Sequence, residues 1–432
     1  MSDRTMPTSF TPTSSRRNFL QTSAAAAAAS TLALSAAAPV HAAGDDVIKV
    51  GLVGCGGRGT GAAVQALRAD KGTRLVALAD AFDDRLQSSR KFLANSEVSE
   101  RVDVPDERCY TGFDAYQGVI ADSDVVLLAT PPYFRPQHLA ACVEAGKHVF
   151  AEKPVAVDAP GVRSVLESSR LAKKKNLAVV SGLCWRYETG LLNTMERLNA
   201  GAIGRPLSLE AIRYSGGVWV RPREEKMTEM EYQMRNWYYF TWLSGDFITE
   251  QFVHQLDQCA WVLGDRTPQR CYATGGRQTR TGEEYGHIYD HFFAVFDYAG
   301  GERVYAGTRH QRGCDNSTHV HVLGSEGSCD LMGYEITGKQ PWKWDGRRTV
   351  MHQLEHDAMY AALRKGEILN NGEYMANSTM LAIIARMSAY TGRTLTWQEA
   401  MDSQEVLGPK TLAWDADIPV PEIATPGVTP FV

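Results

Sequence analysis

Three side chains that could move protons, Glu250, His254 and Asp257, follow one another at intervals of four and three residues. The apolar spacing over residues 247–263 predicts one helix behind Gly245-Asp246, and on that helix all three side chains project from one face. An imidazole that titrates near neutral pH suits the removal of a hydroxyl proton, and a neighbouring carboxylate can orient its ring. Taken alone, the pattern is more typical of a solvated helical face that carries charges and one hydrogen-bonded histidine.

A glycine-rich turn lies about 200 residues earlier. Gly54-Cys55-Gly56-Gly57-Arg58-Gly59 directly follows the apolar, β-branched run 47–53, and an alanine- and leucine-rich stretch at 60–69 has helical spacing. A second strand, 73–80, ends in Asp80. Strand, glycines, helix, strand and acid in this order are typical of a βαβ unit that binds a dinucleotide.

Each part of this unit has its own physical task. Gly54 permits the tight turn, Gly56 lets the backbone approach a pyrophosphate, and Gly59 allows the helix to pack closely on the strand. Free N–H groups at the start of the helix face the phosphates. Asp80 would bind ribose hydroxyls and repel a 2′-phosphate, which favours NAD over NADP, although nearby Arg85 weakens that preference.

The alternation of strands and helices continues. Apolar strands are predicted at 124–130, 148–151 and 176–180, with a helix at 135–145. This order predicts an α/β domain over residues 46–184 with a doubly wound parallel sheet. Ligands of such sheets bind at the carboxyl ends of the strands, where Thr130-Pro131 and Glu152-Lys153 fall.

The pattern changes in the second half of the chain. Long strands that look antiparallel are predicted at 207–214, 270–274, 291–297, 303–308 and 318–323. They indicate a second, α+β domain over residues 185–413 with a large open, mainly antiparallel sheet. Residues 414–432 contain four prolines and few helix formers, which predicts an extended C-terminal arm.

Several of these motifs, in this order and spacing, resemble those of the Gfo/Idh/MocA family, named for glucose-fructose oxidoreductase, inositol dehydrogenase and a rhizopine-catabolism protein. The similarity covers residues 47–405 and rests on seven segments: the turn 54–59, Ala129-Thr130-Pro131-Pro132, His138, 145–149, Glu152-Lys153-Pro154, 201–204 and His254-Gln255-Leu256-Asp257. The resemblance implies a Rossmann domain followed by an open-sheet domain, and an enzyme that oxidises CH-OH groups with a nicotinamide dinucleotide.

The resemblance also implies the roles of individual residues. His254 matches the family's catalytic acid/base, and Lys153 matches the lysine that stabilises charge on the reacting oxygen. Glu250 or Asp257 would orient the imidazole and raise its pKa. The commoner family pattern has Asp where this chain has Glu250, so Glu250 is open to a second interpretation, a contact with the substrate.

Two further sets of residues follow from the motifs. The predicted cofactor-binding residues are Gly54, Gly56, Gly57, Arg58, Gly59, Asp80, Thr130, Pro131, His138, Glu152 and Lys153. The predicted substrate-binding residues are Arg186, Tyr187, Tyr239 and Trp242, because aromatic faces and forked donors suit the apolar face and hydroxyl rim of a pyranose. Packing in the core is the alternative for each aromatic residue.

Composition excludes several classes of protein. The 45 basic and 50 acidic residues give a formal net charge of -5, which argues against binding to nucleic acid. The eight cysteines lack metal-site spacing and are expected to be mostly buried free thiols. Five histidines, at 287, 291, 310, 319 and 321, could form a metal site, but alternation on a polar sheet face is the preferred interpretation, and no metal is predicted.

The N-terminus predicts export. Ser15-Arg16-Arg17-Asn18-Phe19 precedes a weakly apolar, alanine-rich run and a small-residue cleavage site at 40–42, which resembles a twin-arginine signal spanning residues 1–43. The run is too short and too polar for a stable membrane anchor. The mature protein is therefore expected to be soluble, to engage the twin-arginine export machinery, and to act in the periplasm or beyond.

Three functions compete at this point. The first is oxidation of a carbohydrate by a tightly bound NAD, since free NAD is not expected outside the cytosol. The second is an NAD-dependent glycosidase that oxidises a sugar transiently, eliminates the aglycone, adds water and reduces again. The third is a sensor of sugar or cofactor that carries out no reaction. The resemblance further implies a homo-oligomer that pairs through its open sheets.

Overall fold

The computed structural model describes residues 46–432, so the predicted export signal lies outside the described residues. The first domain of the described chain is a parallel sheet of six strands in the order β3-β2-β1-β4-β5-β6. The strands are β1 (Ile48–Val53), β2 (Thr73–Asp80), β3 (Cys109–Thr111), β4 (Val125–Leu128), β5 (His148–Ala151) and β6 (Val179–Ser181). The order reverses between β1 and β4, which is where doubly wound sheets open a crevice for a ligand.

Helices cover both faces of this sheet, and for that reason its central strands are apolar along their whole length. They are α1 (Gly57–Ala69), α2 (Asp83–Ala94), α3 (Tyr116–Asp122), α4 (Arg135–Glu144) and α5 (Ala159–Lys174), with short 3-10 turns at Ser99–Arg101, Asp106–Arg108 and Pro132–Phe134. α1 begins directly behind β1, and small residues on its inner face, Ala62, Ala63 and Ala66, are fully buried.

The second sheet has nine strands within residues 206–396, in the order β14-β13-β12-β11-β7-β10-β9-β8-β15. They are β7 (Pro206–Ser215), β8 (Arg270–Gly276), β9 (His291–Asp297), β10 (Arg303–His310), β11 (Ser317–Gly324), β12 (Gly327–Asp330), β13 (Glu335–Gly338), β14 (Trp342–Lys343) and β15 (Leu395–Thr396). Among these strands only β7 and β10 pair in parallel, so the predicted fold class, with its mainly antiparallel open sheet, is confirmed.

Helices of the second half lie on one face of this sheet and on the first domain. They are α6 (Thr189–Asn199), α7 (Glu229–Arg235), α8 (Thr241–Ser244), α9 (Phe247–Glu250), α10 (Val253–Val262), α11 (Met351–Arg364), α12 (Gly372–Thr391) and α13 (Trp397–Asp402), with 3-10 turns at Cys184–Tyr187, Trp237–Tyr239 and Glu283–Tyr285. α10 and α12 cover the inner face of the sheet. Among the helices of residues 46–432, none is both long and apolar enough to cross a membrane.

Two C-terminal elements return to the first domain. α11 packs on α1 and on the turn Cys184–Tyr187, and Arg364 near its end pairs with Asp70 at 2.7 Å. Beyond α13 the chain is extended, and Trp414 packs its ring on Phe82 and Phe113, with centroid distances of 5.2 and 4.6 Å. The Trp414 ring thereby supports Phe82 and Phe113, two side chains that line the crevice of the first domain.

The cysteines behave as expected from their spacing. All eight are unbonded, and six of them are buried, the exceptions being Cys109 and exposed Cys314.

Candidate active site

A cavity of about 350 Å³ opens at the point where the first sheet reverses its strand order. Nine of the eleven predicted cofactor-binding residues line it: Gly54, Gly56, Gly57, Arg58, Gly59, Asp80, Thr130, Pro131 and His138. Several lining residues come from segments that carry no motif: Phe82, Arg85, Phe113, Tyr116, Phe134, Trp219, Arg221, Met234 and Trp237. The last four reach over from the second domain, a proximity that no local sequence pattern signals.

The glycine turn is shaped by close backbone contacts. Gly54 has φ +100°, and a Cβ at this position would lie 2.6 Å from the backbone carbon of Ala129. A Cβ on Gly59 would lie 1.8 Å from the carbonyl oxygen of Gly54. Gly57, by contrast, faces open space, and α1 begins behind Gly56 without a side-chain cap. The amides at this helix start are therefore left to a ligand, which fits a pyrophosphate.

Asp80 lines the same cavity next to the glycine turn. Its two carboxylate oxygens accept hydrogen bonds from the backbone amides of Cys55 (2.7 Å) and Phe82 (3.0 Å). Burial raises the pKa of the Asp80 carboxyl, while these amides and the charge of Arg85 oppose the rise. Asp80 thus fixes the glycine turn and still borders the space where a ribose would lie.

Two polar side chains in the lining have no protein partner. The Thr130 hydroxyl and both ring nitrogens of His138 are buried and lack a hydrogen bond within the described residues. Burial of such polar atoms costs free energy unless a ligand or a water molecule forms a hydrogen bond with them. Together with the uncapped helix start, they show that the residues of this cavity fit a bound dinucleotide.

His138 gives the site a pH dependence of stability. Its ring stacks on Tyr116 at 4.2 Å, and burial, followed by the charge of Arg135, lowers its pKa to about 3. In the unfolded chain the ring takes up a proton near pH 6.5, so between about pH 6.5 and pH 3 the unfolded state binds more protons. The stability of the fold therefore decreases as the pH is lowered through this range. From pH 7 to pH 5 we expect a loss of about 2 kcal/mol from this residue.

Urea unfolding of the wild type and of His138→Phe at pH 7 and pH 5 measures this loss. The variant keeps an aromatic ring but cannot take up a proton. Its free energy of unfolding should therefore fall less between the two pH values, by about 2 kcal/mol. Equal losses in both proteins would contradict the assignment.

Lys153 joins the two domains at the site. It lies two residues beyond β5, and its ammonium group donates to the carboxylate Oε1 and to the backbone carbonyl of Glu250, both at 2.8 Å. The carboxylate of Glu152, one residue earlier, lies 2.9 Å from the guanidinium of Arg58. Glu152 therefore contacts the glycine turn of the first domain, whereas Lys153 contacts the second domain. The last two predicted cofactor-binding residues thus lie beside the cavity rather than in its lining.

The predicted single helix over 247–263 is wrong. α9 ends at Glu250, Gln251 and Phe252 are irregular, and α10 begins at Val253. The Glu250 carbonyl, which in a continuous helix would accept from His254, accepts from the Lys153 ammonium. Glu250 thus ends α9, whereas His254 and Asp257 lie on α10, so the three residues do not belong to one continuous helix.

The predicted orientation of His254 by a carboxylate is also wrong. Nδ1 of its ring is buried and has no hydrogen-bond partner among the described residues, because Glu250 is paired with Lys153. Its pKa lies well below the usual value, first because of burial and then because of the charge of Lys153, with further contributions from Arg213 and His352. The ring is therefore neutral at physiological pH and available as a proton acceptor.

Asp257 has a structural contact instead. It holds Arg186 through three contacts of 2.8 to 3.1 Å and accepts from the Ser378 hydroxyl at 2.8 Å. Arg186 also pairs with Asp265 at 2.6 Å and stacks over the Tyr374 ring at 3.9 Å. Every nitrogen of Arg186 is thereby occupied, so the predictions that Asp257 orients His254 and that Arg186 binds substrate are both corrected.

The other predicted substrate-binding residues divide in two. The Trp242 indole is buried and donates to Gln233 at 2.6 Å, and the half-buried Tyr187 donates its hydroxyl hydrogen bond to Asn371 at 2.9 Å. Both polar groups thus have protein partners, and a contact of either ring with substrate stays a prediction. Tyr239 lines a second cavity of about 170 Å³ that also contains Arg280, His310 and Arg312. Tyr239 is the one member of the four that lines a cavity described here.

The five clustered histidines also separate. His291, His319 and His321 lie on the outer sheet face, where Glu210 is 3.4 Å from His319. His287 and His310 are buried in the interior, and burial, the first cause, lowers the pKa of each to about 3. The prediction of one polar sheet face is therefore wrong for these two.

Sequence analysis missed a pair of residues that α11 brings to the site. His352 and Glu355 lie beside the carboxyl ends of β5 and β6, and the ring nitrogen Nδ1 of His352 is 3.3 Å from Oε1 of Glu355. Their i,i+3 spacing on a helix was the available signal, but nothing local connects this helix with residues 150–185.

Comparison with known proteins identifies the family of both domains. The model of the oxidoreductase family with an NAD-binding Rossmann fold, Gfo/Idh/MocA, matches residues 48–183, and the model of this family's C-terminal domain matches residues 192–330. A model of the twin-arginine translocation signal matches residues 13–33.

Individual relatives are more distant. Inositol 2-dehydrogenase 3 of Saccharopolyspora erythraea is 26% identical over 257 residues, 60% of this chain and 65% of that one. The chain spans between 54% and 65% of the length of three inositol dehydrogenases that it matches.

Solved structures share the fold. The aldose-aldose oxidoreductase from Caulobacter crescentus, complexed with glycerol, has a TM-score of 0.61 at 15% identity, covering 81% of this chain and 99% of that one. The apo scyllo-inositol dehydrogenase from Lactobacillus casei has a TM-score of 0.61 at 14% identity, covering 82% and 99%. With both family models matched in sequence, the chain belongs to the Gfo/Idh/MocA family of oxidoreductases.

Proposed function

We propose that the protein is an NAD-dependent oxidoreductase that removes a hydride from a C-OH group of a sugar or sugar derivative and keeps its nicotinamide dinucleotide tightly bound. The observation that carries this proposal is the junction at Lys153. A lysine at the end of a dinucleotide-domain strand holds the segment of the second domain that presents a neutral histidine. The inositol dehydrogenases among the relatives support a polyhydroxylated ring as substrate.

Each residue at this junction has its own role in the proposed reaction. His254 accepts the hydroxyl proton, since its ring is neutral and Nδ1 is unpartnered. Lys153 donates a hydrogen bond to the oxygen as negative charge develops there. Glu250 holds the ammonium group in place while no substrate is bound. The dinucleotide, held by the glycine turn, Asp80, Thr130 and His138, would supply the hydride acceptor.

The first experiment measures the cofactor itself. The purified, cleaved protein is denatured without added nucleotide, and the released nicotinamide dinucleotide is quantified per chain. We expect close to one per chain, and we expect an inositol or aldose added to the native protein to raise the absorbance at 340 nm once. A protein that is empty and does not bind added NAD would overturn the proposal and favour the sensor.

A resident cofactor also suits the proposed location. The twin-arginine signal predicts export of the folded protein, and we propose a periplasmic site of action after cleavage near residue 43. A dinucleotide bound before export would then have to be oxidised again in place by a second substrate.

Asp80 is proposed to set the preference for NAD. Asp80→Asn keeps an oxygen acceptor for one of the two backbone amides, of Cys55 or of Phe82, and removes the charge that repels a 2′-phosphate. We expect the ratio of NADP to NAD affinity to rise at least about tenfold, which corresponds to roughly 1.4 kcal/mol. Asp83→Asn, which removes the same charge from exposed α2, is the control. Fluorescence titration of the stripped protein with both nucleotides measures the ratio, and an unchanged ratio would contradict the role.

The outer face of the second sheet is proposed to form a homo-oligomer. Tyr272, Phe293 and Leu323 are 37%, 42% and 54% exposed there. Burial of such a face is a usual way to pair open sheets. We expect Phe293→Glu to shift the mass measured by light scattering toward one chain, while Val428→Glu, a change at an exposed site on the C-terminal arm, leaves it unchanged. A wild type that is already monomeric would refute this proposal.

A further inference from the structure

Two histidines of β11 lie side by side on the outer face of the second sheet. Because successive side chains of a strand alternate between its faces, His319 and His321 project in the same direction. Their rings are stacked, with centroids 4.3 Å apart and an angle of 18° between the ring planes. The side chains are 24% and 50% exposed, so a solute can reach both rings.

The register of the sheet places a carboxylate on each side of this pair. Glu210 of β7 lies directly opposite His321, and Asp330 of β12 lies opposite the same histidine on the other side of β11. Residues that lie opposite each other in antiparallel strands project from the same face of the sheet. Two imidazoles therefore lie between two carboxylates that neighbouring strands supply.

Glu210 faces one nitrogen of each ring. Its Oε2 lies 3.4 Å from Nε2 of His319 and 3.8 Å from Nδ1 of His321. One carboxylate oxygen and one nitrogen of each ring lie within 4.8 Å of one another. In a tetrahedral complex with bonds of about 2 Å, the ligand atoms are roughly 3.3 Å apart. Small rotations of these exposed side chains therefore suffice to bring all three atoms to one ion.

The other nitrogen of each ring has a partner of its own. Nδ1 of His319 lies 3.1 Å from the hydroxyl oxygen of Ser317, and Nε2 of His321 lies 3.8 Å from Oδ1 of Asp330. A partner at the second nitrogen is a usual feature of histidines that bind a metal, because it fixes the tautomer and the orientation of the ring. The nitrogen that faces Glu210 is left over in each case, and that of His319 makes no hydrogen bond within the described residues.

A third histidine on the same face shows the contrast. Nδ1 of His291 lies 2.8 Å from Oδ1 of Asp290, a fully buried carboxylate whose Oδ2 accepts from the three backbone amides of residues 278–280. That carboxylate is bound within the protein. The Glu210 carboxylate is 55% exposed and makes no hydrogen bond to other described residues, and its close contacts are the two rings of β11.

We propose that Glu210, His319 and His321 bind a divalent transition-metal ion of the zinc class. Two imidazole nitrogens and a carboxylate oxygen suit Zn²⁺, Ni²⁺ and Cu²⁺, whereas Mg²⁺ and Ca²⁺ prefer oxygen ligands alone. Sequence spacing alone predicts no metal here, because it does not show that β7 pairs with β11 and brings Glu210 to the histidines.

The position of the site in the fold indicates what the ion does. It joins β7 to β11 two residues before Leu323, on the surface that is proposed to form the homo-oligomer. None of the three ligands lines the dinucleotide cavity, so the ion takes no part in the proposed oxidation. Three protein ligands leave one tetrahedral position open to water or to a further ligand.

Zinc binding to the cleaved full-length protein tests this site. The protein is purified without a histidine tag, freed of metal with EDTA and titrated with Zn²⁺ in competition with a chromogenic chelator. We expect one ion per chain that depends on both histidines, and His319→Asn and His321→Asn should each lower the affinity at least about 100-fold. His291→Asn removes an imidazole of similar exposure from the same face and is the matched control, which should leave the affinity unchanged.

Two further variants separate a ligand from a positioning residue. Glu210→Gln keeps the shape of the side chain but removes the anionic ligand, so it should lower the affinity and change the visible absorption spectrum of bound Co²⁺. Ser317→Ala removes the partner of His319 but no ligand. It should lower the affinity about tenfold and leave the Co²⁺ spectrum unchanged.

The result that would overturn the proposal is zinc binding of equal affinity in the wild type and in both histidine variants, or a wild type that binds no zinc at micromolar concentrations. Circular dichroism of each metal-free variant shows that a loss of binding is not a loss of fold. The titrations do not involve the dinucleotide, so failure of the proposed oxidation would leave their result intact.

Discussion

Replacement of His254 by Asn lowers the rate at which sugar reduces the bound dinucleotide by about 10²- to 10⁴-fold, which is the usual contribution of a positioned acid/base group. The reason lies in the site: the ring is neutral, Nδ1 has no protein partner, and Lys153 provides positive charge nearby. Stopped-flow absorbance at 340 nm with the holoenzyme measures this rate.

The control for this variant is His319→Asn, which removes an imidazole from the outer sheet face. We expect His254→Asn to retain its full content of dinucleotide, since His254 does not line the dinucleotide cavity. Wild-type reduction by His254→Asn would refute its role as the base, whereas loss of the dinucleotide would indicate a binding role instead.

Asp257→Ala lowers the free energy of unfolding by about 3–5 kcal/mol, the usual result when one partner of a buried ion pair is removed. Arg186 would keep its contact with Asp265, whose side chain is 38% exposed, but would lose the three contacts to fully buried Asp257. The Ser378 hydroxyl would lose its acceptor as well. Urea unfolding at pH 7, followed by circular dichroism, measures the change.

The matched control is Asp265→Ala, which removes the more exposed of the two carboxylates and should cost about 1 kcal/mol or less. A substitution at Asp257 that abolishes turnover but leaves the unfolding curve unchanged would contradict the structural role and would restore Asp257 to the catalytic set.

What could be predicted from sequence depends on local geometry. The tight turn at Gly54, the close helix packing at Gly59 and the acid at the end of β2 are properties of one short βαβ segment, and the cavity contains all of them. The change from alternating elements to long strands likewise predicts two sheets, because the side-chain period of a strand is visible in a single segment.

Contacts between distant segments were not predictable in this way. Helical spacing predicted one helix through Glu250, His254 and Asp257, but Lys153, 97 residues earlier, takes the carbonyl that would have continued it. Arg186 and Trp242 have donor groups that suit a sugar, but in the structure they donate to buried protein groups, Arg186 to Asp257 and Trp242 to Gln233. Residue type alone cannot distinguish a sugar-binding donor from one that is bound within the protein, since either a sugar or a protein acceptor satisfies it.

The dinucleotide turn, the two-sheet fold class and the family could be predicted from the amino-acid sequence, because short-range spacing encodes each of them. The pairing of carboxylates with bases could not, because it depends on contacts between segments far apart in the chain. Glu250 pairs with Lys153 and Asp257 with Arg186, so His254 is left without a carboxylate partner, while α11 brings the His352–Glu355 pair to the strand ends from about 200 residues further along the chain. Buried charges must find partners wherever the fold supplies them, and the fold supplies them across domains.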